Sequence, residues 1–260
     1  MEKTVIIIPA YNEEKRIGKT LEAYSNFFEN IRKKGEIEYE ILVSINNTTD
    51  KTKEVVNEFM NKNKRINYID LPNGGKGYAV IEAFKDVLKR KNDLIGFVDA
   101  DMATSPEEYW KLINFLNKNE NTDGVIASRY INGAKIAPKP TLQRKIAKWM
   151  FNALVRSLLL IPYRDTQCGA KVFRRKAIET LIDSLSMSNW AFDVDLIYSA
   201  MKNNLTIKEL PTSWIDKEYS KINFWSAGPW MAMGVIRLRL LNSNLDSFVR
   251  IYDKVMRRIR

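Results

Sequence analysis

Leu94-Ile95-Gly96-Phe97-Val98-Asp99-Ala100-Asp101 is the stretch on which the fold turns. Apolar residues crowd around one glycine and then stop at two acids, which reads as a strand buried on both faces and ending in a polar turn. Working outward, the same unit recurs upstream. Val5–Ile8, Tyr39–Ile45 and Ile66–Asp70 read as strands, and Glu13–Arg32, Thr52–Met60 and Gly77–Leu88 as helices between them. In the first helix Ile17, Leu21, Tyr24, Phe28 and Ile31 recur at three- and four-residue steps. Asn12 is its expected N-cap, with Glu13 and Glu14 at the positive end of the dipole. Downstream, Ser105-Pro106-Glu107-Glu108 has the form of a capping box with proline at the first helical position, opening a helix through Leu112, Ile113 and Leu116. Gly124–Ser128 is the next strand. This alternation predicts an α/β fold, a mostly parallel central sheet with helices on both faces. Ligands in such sheets bind at the carboxyl ends of the strands.

The second half is less regular. A helix is expected over Leu142–Leu160, a short strand at Lys171–Phe173, a helix at Ala191–Met201 and a strand at Thr206–Leu210. The tail from Ile222 to Arg260 mixes Trp225, Trp230, Met231, Met233 and Leu238 with arginines. We divide the chain into a catalytic domain at 1–221 and a C-terminal amphipathic, membrane-proximal tail at 222–260.

Composition narrows the chemistry. Lys and Arg outnumber Asp and Glu by 42 to 31, a formal charge of +11. That surplus suits nucleic acid, an anionic membrane face or a phosphorylated substrate, or is a solvated lysine-rich surface. There is no histidine, so the commonest general base and zinc ligand are both missing. Cys168 is the one cysteine, which rules out an intrachain disulfide and agrees with a reducing compartment. The N-terminal apolar run is too short for a signal peptide, and no uncharged apolar stretch is long enough to span a bilayer. The nearest, Ile146–Ile161, is interrupted by Lys148 and Arg156. It reads either as a core helix or as an interfacial one with Trp149, Met150 and Phe151 toward lipid.

Asp99 and Asp101, two residues apart in a turn, can face one divalent ion. Hard carboxylate oxygens suit Mg²⁺ or Mn²⁺, ions that also hold a diphosphate. Spacing alone is a weak signal, since Asp193-Val194-Asp195 repeats it. Its surroundings strengthen it. Ile8-Pro9-Ala10-Tyr11-Asn12-Glu13-Glu14, Gly74-Gly75-Lys76-Gly77-Tyr78-Ala79 and the Asp99–Asp101 pair resemble inverting family-two glycosyltransferases of the GT-A fold. Ser128-Arg129-Tyr130, Asp165-Thr166-Gln167-Cys168-Gly169-Ala170-Lys171-Val172-Phe173, Trp190-Ala191-Phe192-Asp193-Val194-Asp195 and Ser220-Lys221 resemble its dolichyl-phosphate glucosyltransferase branch.

The resemblance implies roles. Pro9, Tyr11, Glu13, Asn46, Lys76 and Asp99 would line the nucleotide pocket, and Asp99 and Asp101 would meet the metal and diphosphate. Arg129, Arg144 and Lys221 would hold the acceptor phosphate. Asp165, Gln167 and Trp190 would line the donor sugar, with Trp190 and Asp193 closing the acceptor side. Asp99, Asp101, Arg129 and Asp193 form the expected catalytic set. Plainer readings stand beside these: Tyr11 as a strand-end core residue, Lys76 as a solvated lysine, Arg144 on a basic helix face, Trp190 as packing, Asp193 as a helix-start carboxylate. Two departures matter. Ile45-Asn46-Asn47-Thr48 replaces the frequent Asp-Asp-Gly-Ser, leaving the base open, and Ala103 replaces a glutamine found in mannosyl relatives, so metal binding would lean on substrate phosphates.

The implied reaction moves a sugar, glucose or N-acetylglucosamine, from a UDP-sugar to dolichyl or polyprenyl phosphate with inversion. Its partners would be the nucleotide-sugar, the lipid phosphate and the cytoplasmic face of a membrane. A phosphate acceptor needs no base, which suits a chain without histidine. Transfer to a saccharide hydroxyl would need a carboxylate base, Asp193 or Asp195. A non-catalytic nucleotide- or nucleic-acid-binding protein is the third reading; the basic residues are spread along the chain without a recognisable nucleic-acid motif, and no nucleic-acid partner is expected.

Overall fold

The computed structural model describes residues 2–139, 141–185, 191–215 and 224–245, with 247 and 249; the side chains of 144, 148 and 224–230 are outside the description. The order is β1 (Lys3–Ala10), α1 (Ile17–Lys33), β2 (Glu38–Asn46), α2 (Thr52–Lys62), β3 (Ile66–Leu71), α3 (Lys76–Leu88), β4 (Leu94–Val98), α4 (Pro106–Lys118), β5 (Gly124–Ser128), β6 (Lys135–Ala137), α5 (Leu142–Leu159), β7 (Ala170–Arg174), α6 (Arg175–Leu181), α7 (Phe192–Lys202), β8 (Ile207–Pro211), β9 (Ser213–Ile215) and α8 (Phe224–Leu241).

Among the described residues, seven strands form one sheet in the order β3-β2-β1-β4-β7-β5-β8. All neighbours are parallel except β7, which runs antiparallel to both β4 and β5. The short β6 and β9 pair separately. Successive side chains of a strand point to opposite faces. Val5 and Ile7 therefore join a core under α3, α5, α6, α7 and α8, while Ile6 and Ile8 join one under α1, α2 and α4. Each fully buried isoleucine contributes roughly 1.5–3 kcal/mol.

The capping box at Ser105 is half realised: the Ser105 hydroxyl accepts from the Glu108 N–H at 3.4 Å, with Pro106 at the first turn. The first helix departs from expectation. It starts at Ile17, not at Glu13, and Asn12 does not cap it. Asn12 takes a left-handed φ of 52°, and its side chain accepts from Thr49 N–H at 2.9 Å. Glu13 donates its N–H to Thr52 Oγ1 at 2.7 Å and Glu14 its own to Asp50 at 3.1 Å. The segment after β1 is tied to the start of α2, and those bonds replace a helical turn.

The helix after residue 141 and the last described helix pack together. The expected tail is only partly described: residues 222, 223, 246, 248 and 250–260 lie outside. No described helix is long and apolar enough to cross a membrane.

Candidate functional site

The carboxyl ends of β1, β2, β4 and β5 open on one edge of the sheet. Because β7 is antiparallel, its amino end meets the same edge, and Asp99 N–H donates to Gly169 O at 3.1 Å. The turn after β4 is held from beneath by α1. Thr20 donates its hydroxyl to Ala100 O at 2.7 Å and Tyr24 its own to Thr104 O at 2.9 Å. Asp101 Oδ1 accepts from Ala103 N–H at 2.9 Å, closing an Asx-type turn around Met102, whose φ is 60°. A left-handed φ is sparsely populated for a residue such as Met.

Four charges lie in a row. Lys76 Nζ is 2.9 Å from Asp99 Oδ1 and 3.0 Å from Asp193 Oδ2. Lys171 Nζ is 2.5 Å from Asp193 Oδ1. Burial opposes the charge on Asp193, but Lys171 and Lys76 outweigh it and hold the carboxyl at about 2. Burial likewise opposes the Lys76 ammonium, and Asp193 and Asp99 override it to raise its pKa. Asp101 is shifted the other way, upward, by burial and then by the charge of Asp99. Asp195, in the same first turn of α7, is buried within 3.3 Å of the Ser199 hydroxyl.

A second pair lies nearby in the fold. Arg129 grips Asp165 through Nε at 2.7 Å, Nη2 at 2.9 Å and its own N–H at 2.9 Å. Such bidentate contacts fix geometry as well as charge. Glu209 of β8 accepts from the Asp165 N–H at 2.9 Å and positions the loop. The Arg129 guanidinium also lies 5.2 Å from the Trp214 ring centre. Gln167 is half-buried in the turn before β7.

Tyr11 stands at the rim, 48% exposed, and Pro9 is half-buried below it. Glu13 forms a fork with Arg16, both contacts at 2.6 Å. Asn46 is buried, and in the amide orientation that satisfies both ends it donates to Ala10 O and accepts from Gly75 N–H, each at 2.9 Å. Gly75 has a φ of 120° that only glycine holds readily, so Asn46 fixes the loop that launches Lys76. Of the expected residues, Trp190 and Lys221 lie outside the described residues, and Arg144 is on the first turn of α5 with its side chain outside the description. Sequence reading assigned no role to Lys171. The signal was there, in a lysine set inside the apolar run Ala170–Phe173.

No group of three or more His, Cys, Asp or Glu able to hold a metal occurs among the described residues. Asp99 and Asp101 nevertheless fit Mg²⁺ or Mn²⁺ in donor chemistry: two hard carboxylates in one tight turn, the second raised in pKa by burial and by the charge of the first. A pair of this kind completes a shell only with oxygens from elsewhere, such as phosphate or water.

Residues 5–182 match the family described as Glycosyl transferase family 2. The chain belongs to glycosyl transferase family 2. This family-two glycosyltransferase is 30% identical over 241 residues to the dolichyl-phosphate beta-glucosyltransferase of Dictyostelium discoideum, covering 90% of this chain and 73% of that one. With the Homo sapiens dolichyl-phosphate beta-glucosyltransferase it shares 31% identity over 249 residues, 91% of this chain and 75% of the relative. Among solved structures it resembles glucosyl-3-phosphoglycerate synthase from Mycobacterium tuberculosis, with a TM-score of 0.68 at 16% identity, over 92% of this chain and 78% of that one. That likeness shows the GT-A-like fold. The synthase was solved with Mn²⁺, UDP and phosphoglyceric acid, and also with Mg²⁺ and UDP.

Proposed function

We propose that this glycosyltransferase moves a sugar, glucose first and N-acetylglucosamine as its rival, from a UDP-sugar to dolichyl or another polyprenyl phosphate, inverting the anomeric centre, for protein N-glycosylation or glycan assembly. The observation that carries this reading is the state of Asp193. A sugar hydroxyl must lose a proton as it attacks. Asp193 is pinned by two lysines at a pKa of about 2, which makes it a poor proton acceptor, and Asp195 is buried. The chain has no histidine. A phosphate monoester, with a second pKa of about 6, arrives already ionised. The names of the relatives point the same way.

In this reading Tyr11, Pro9 and Glu13 border the nucleotide, and Asn46 shapes that pocket through the Gly75 loop. Lys76 meets the diphosphate, and Asp99 and Asp101 would hold Mg²⁺ or Mn²⁺. When bound, that ion supplies electrostatic neutralisation of the leaving diphosphate. Arg129, with Arg144 and Lys221, draws the acceptor phosphate in, while Asp165 and Gln167 border the sugar. The phosphate oxygen displaces UDP in line, and the protein contributes position and charge rather than proton transfer.

In this reading the enzyme works at the cytoplasmic face of a membrane. The helices Leu142–Leu159 and Phe224–Leu241 contain no acidic residue. They expose Leu142, Ile146, Trp149, Met150, Met233 and Ile236, with Lys145, Arg156, Arg237 and Arg239 on the same two helices. Exposed apolar side chains on helices that carry cations and no acids suit an anionic bilayer.

The test is transfer of label from a panel of UDP- and GDP-sugars to a short polyprenyl phosphate, with Mg²⁺ or Mn²⁺ and Asp101→Ala as control. Label passing to the organic phase with one UDP-sugar, and lost in the variant, is the expected result. Transfer to a soluble saccharide alone would overturn the lipid-phosphate reading.

A further inference from the structure

Lys171 is the second residue of β7, opposite Phe97 of β4, and its side chain is fully buried. Nζ donates to the Cys168 carbonyl and to Asp193 Oδ1, both at 2.5 Å, and lies 5.2 Å from the Phe97 ring centre. Lys76 Nζ lies 5.5 Å from the same ring centre. The second Asp193 oxygen accepts from Lys76, which is also bound to Asp99. A row of alternating charge thus runs from the core to the site edge: Lys171, Asp193, Lys76, Asp99. A buried ammonium is costly unless fully compensated, and a tie between β7 and α7 needs no charge. The lysine is too deep to touch a substrate.

We infer that Lys171 is a positioning residue for donor binding: by neutralising one oxygen of Asp193 it lets that carboxylate aim Lys76 at the nucleotide diphosphate without sequestering it. This deepens the proposed function and rests on its donor site. Without Lys171 the whole charge of Asp193 falls on Lys76, and the ammonium is withheld from the donor.

The test is calorimetric titration of the full chain with UDP at fixed Mg²⁺, below the melting transition of every protein compared, so that lost stability alone does not move the readout. The proteins are the parent, Lys171→Met, Lys171→Gln, Asp193→Asn and the doubles of each Lys171 variant with Asp193→Asn. Lys171→Gln keeps a donor for the Cys168 carbonyl and deletes only the charge, so it serves where Lys171→Met does not fold. Both Lys171 variants are expected to weaken UDP binding at least tenfold. Each double is expected to stay within twofold of the Asp193→Asn single, because with no carboxylate at 193 Lys171 has no charge to neutralise. Singles within twofold of the parent, or losses that multiply in the doubles, would overturn the inference. A parent that does not bind UDP would instead overturn the donor reading on which it rests.

Discussion

Gly169 carries only a hydrogen where it faces Asp99, and a Cβ there would overlap the Asp99 carboxylate. Gly169→Ala must therefore push the β4 turn or the β7 entry apart. We expect a loss of about 1–3 kcal/mol of stability, the usual range for overpacking, together with weakened UDP binding, read by thermal melting and by titration on the same sample. Asp193 gives a second residue-scale outcome. Its folded pKa of about 2 lies below the usual aspartate value of about 3.9. A depressed acid stabilises above its unfolded pKa and loses that contribution as pH falls through the folded one. The pair with Lys76 and Lys171, flanked by Asp99, is worth on the order of 2 kcal/mol, lost between about pH 4 and pH 2. Unfolding free energies measured across that window should fall for the parent and run flatter for Asp193→Asn.

Helix starts show what sequence patterning captures and what it misses. Ser105 and Pro106 announce α4, and the structure has the bond expected there. Ser105→Ala should cost about 1 kcal/mol, visible as a lower denaturation midpoint with an unchanged slope. Asn12 followed by two acids carries the same local signal, yet α1 begins at Ile17. Three tertiary bonds to the Thr49–Thr52 region outbid the cap, and no one-dimensional pattern contains them. The strands were legible because their apolar runs are bounded by polar turns. The direction of β7 was not, because Lys171–Phe173 reads alike in either sense. Lys171 went unassigned for the same reason, since its partner Asp193 is on α7, 22 positions away. The carboxylates at 99 and 101 were legible as a pair; that Asn46 acts through the Gly75 loop became plain only from its burial.

Charge is a property of the whole molecule. With 42 basic against 31 acidic residues, and two acid-free helices exposing apolar side chains, adsorption to anionic vesicles should be salt-sensitive. Co-flotation with vesicles containing phosphatidylserine is expected, with a decline on raising salt from 0.05 to about 0.5 M. Trp149→Glu with Met150→Glu should abolish it while UDP binding stays within twofold. Flotation unchanged by that pair would remove the α5–α8 face from the account.

The reversed strand has a bearing on how the chain comes together. Within the sheet, β5 touches only β7 and β8. On a ribosome, β5 would emerge some 40 residues before either neighbour exists, an orphan ribbon with open edges on both sides. Among the described residues, no strand pairing joins β1–β4 to β5 until Ala170–Arg174, which lies between them, has been made. Lys76 and Asp99 belong to the part made before β5, whereas Asp193 lies on α7, after β7, so the row from Lys171 to Asp99 closes only once β7 and α7 are both in place.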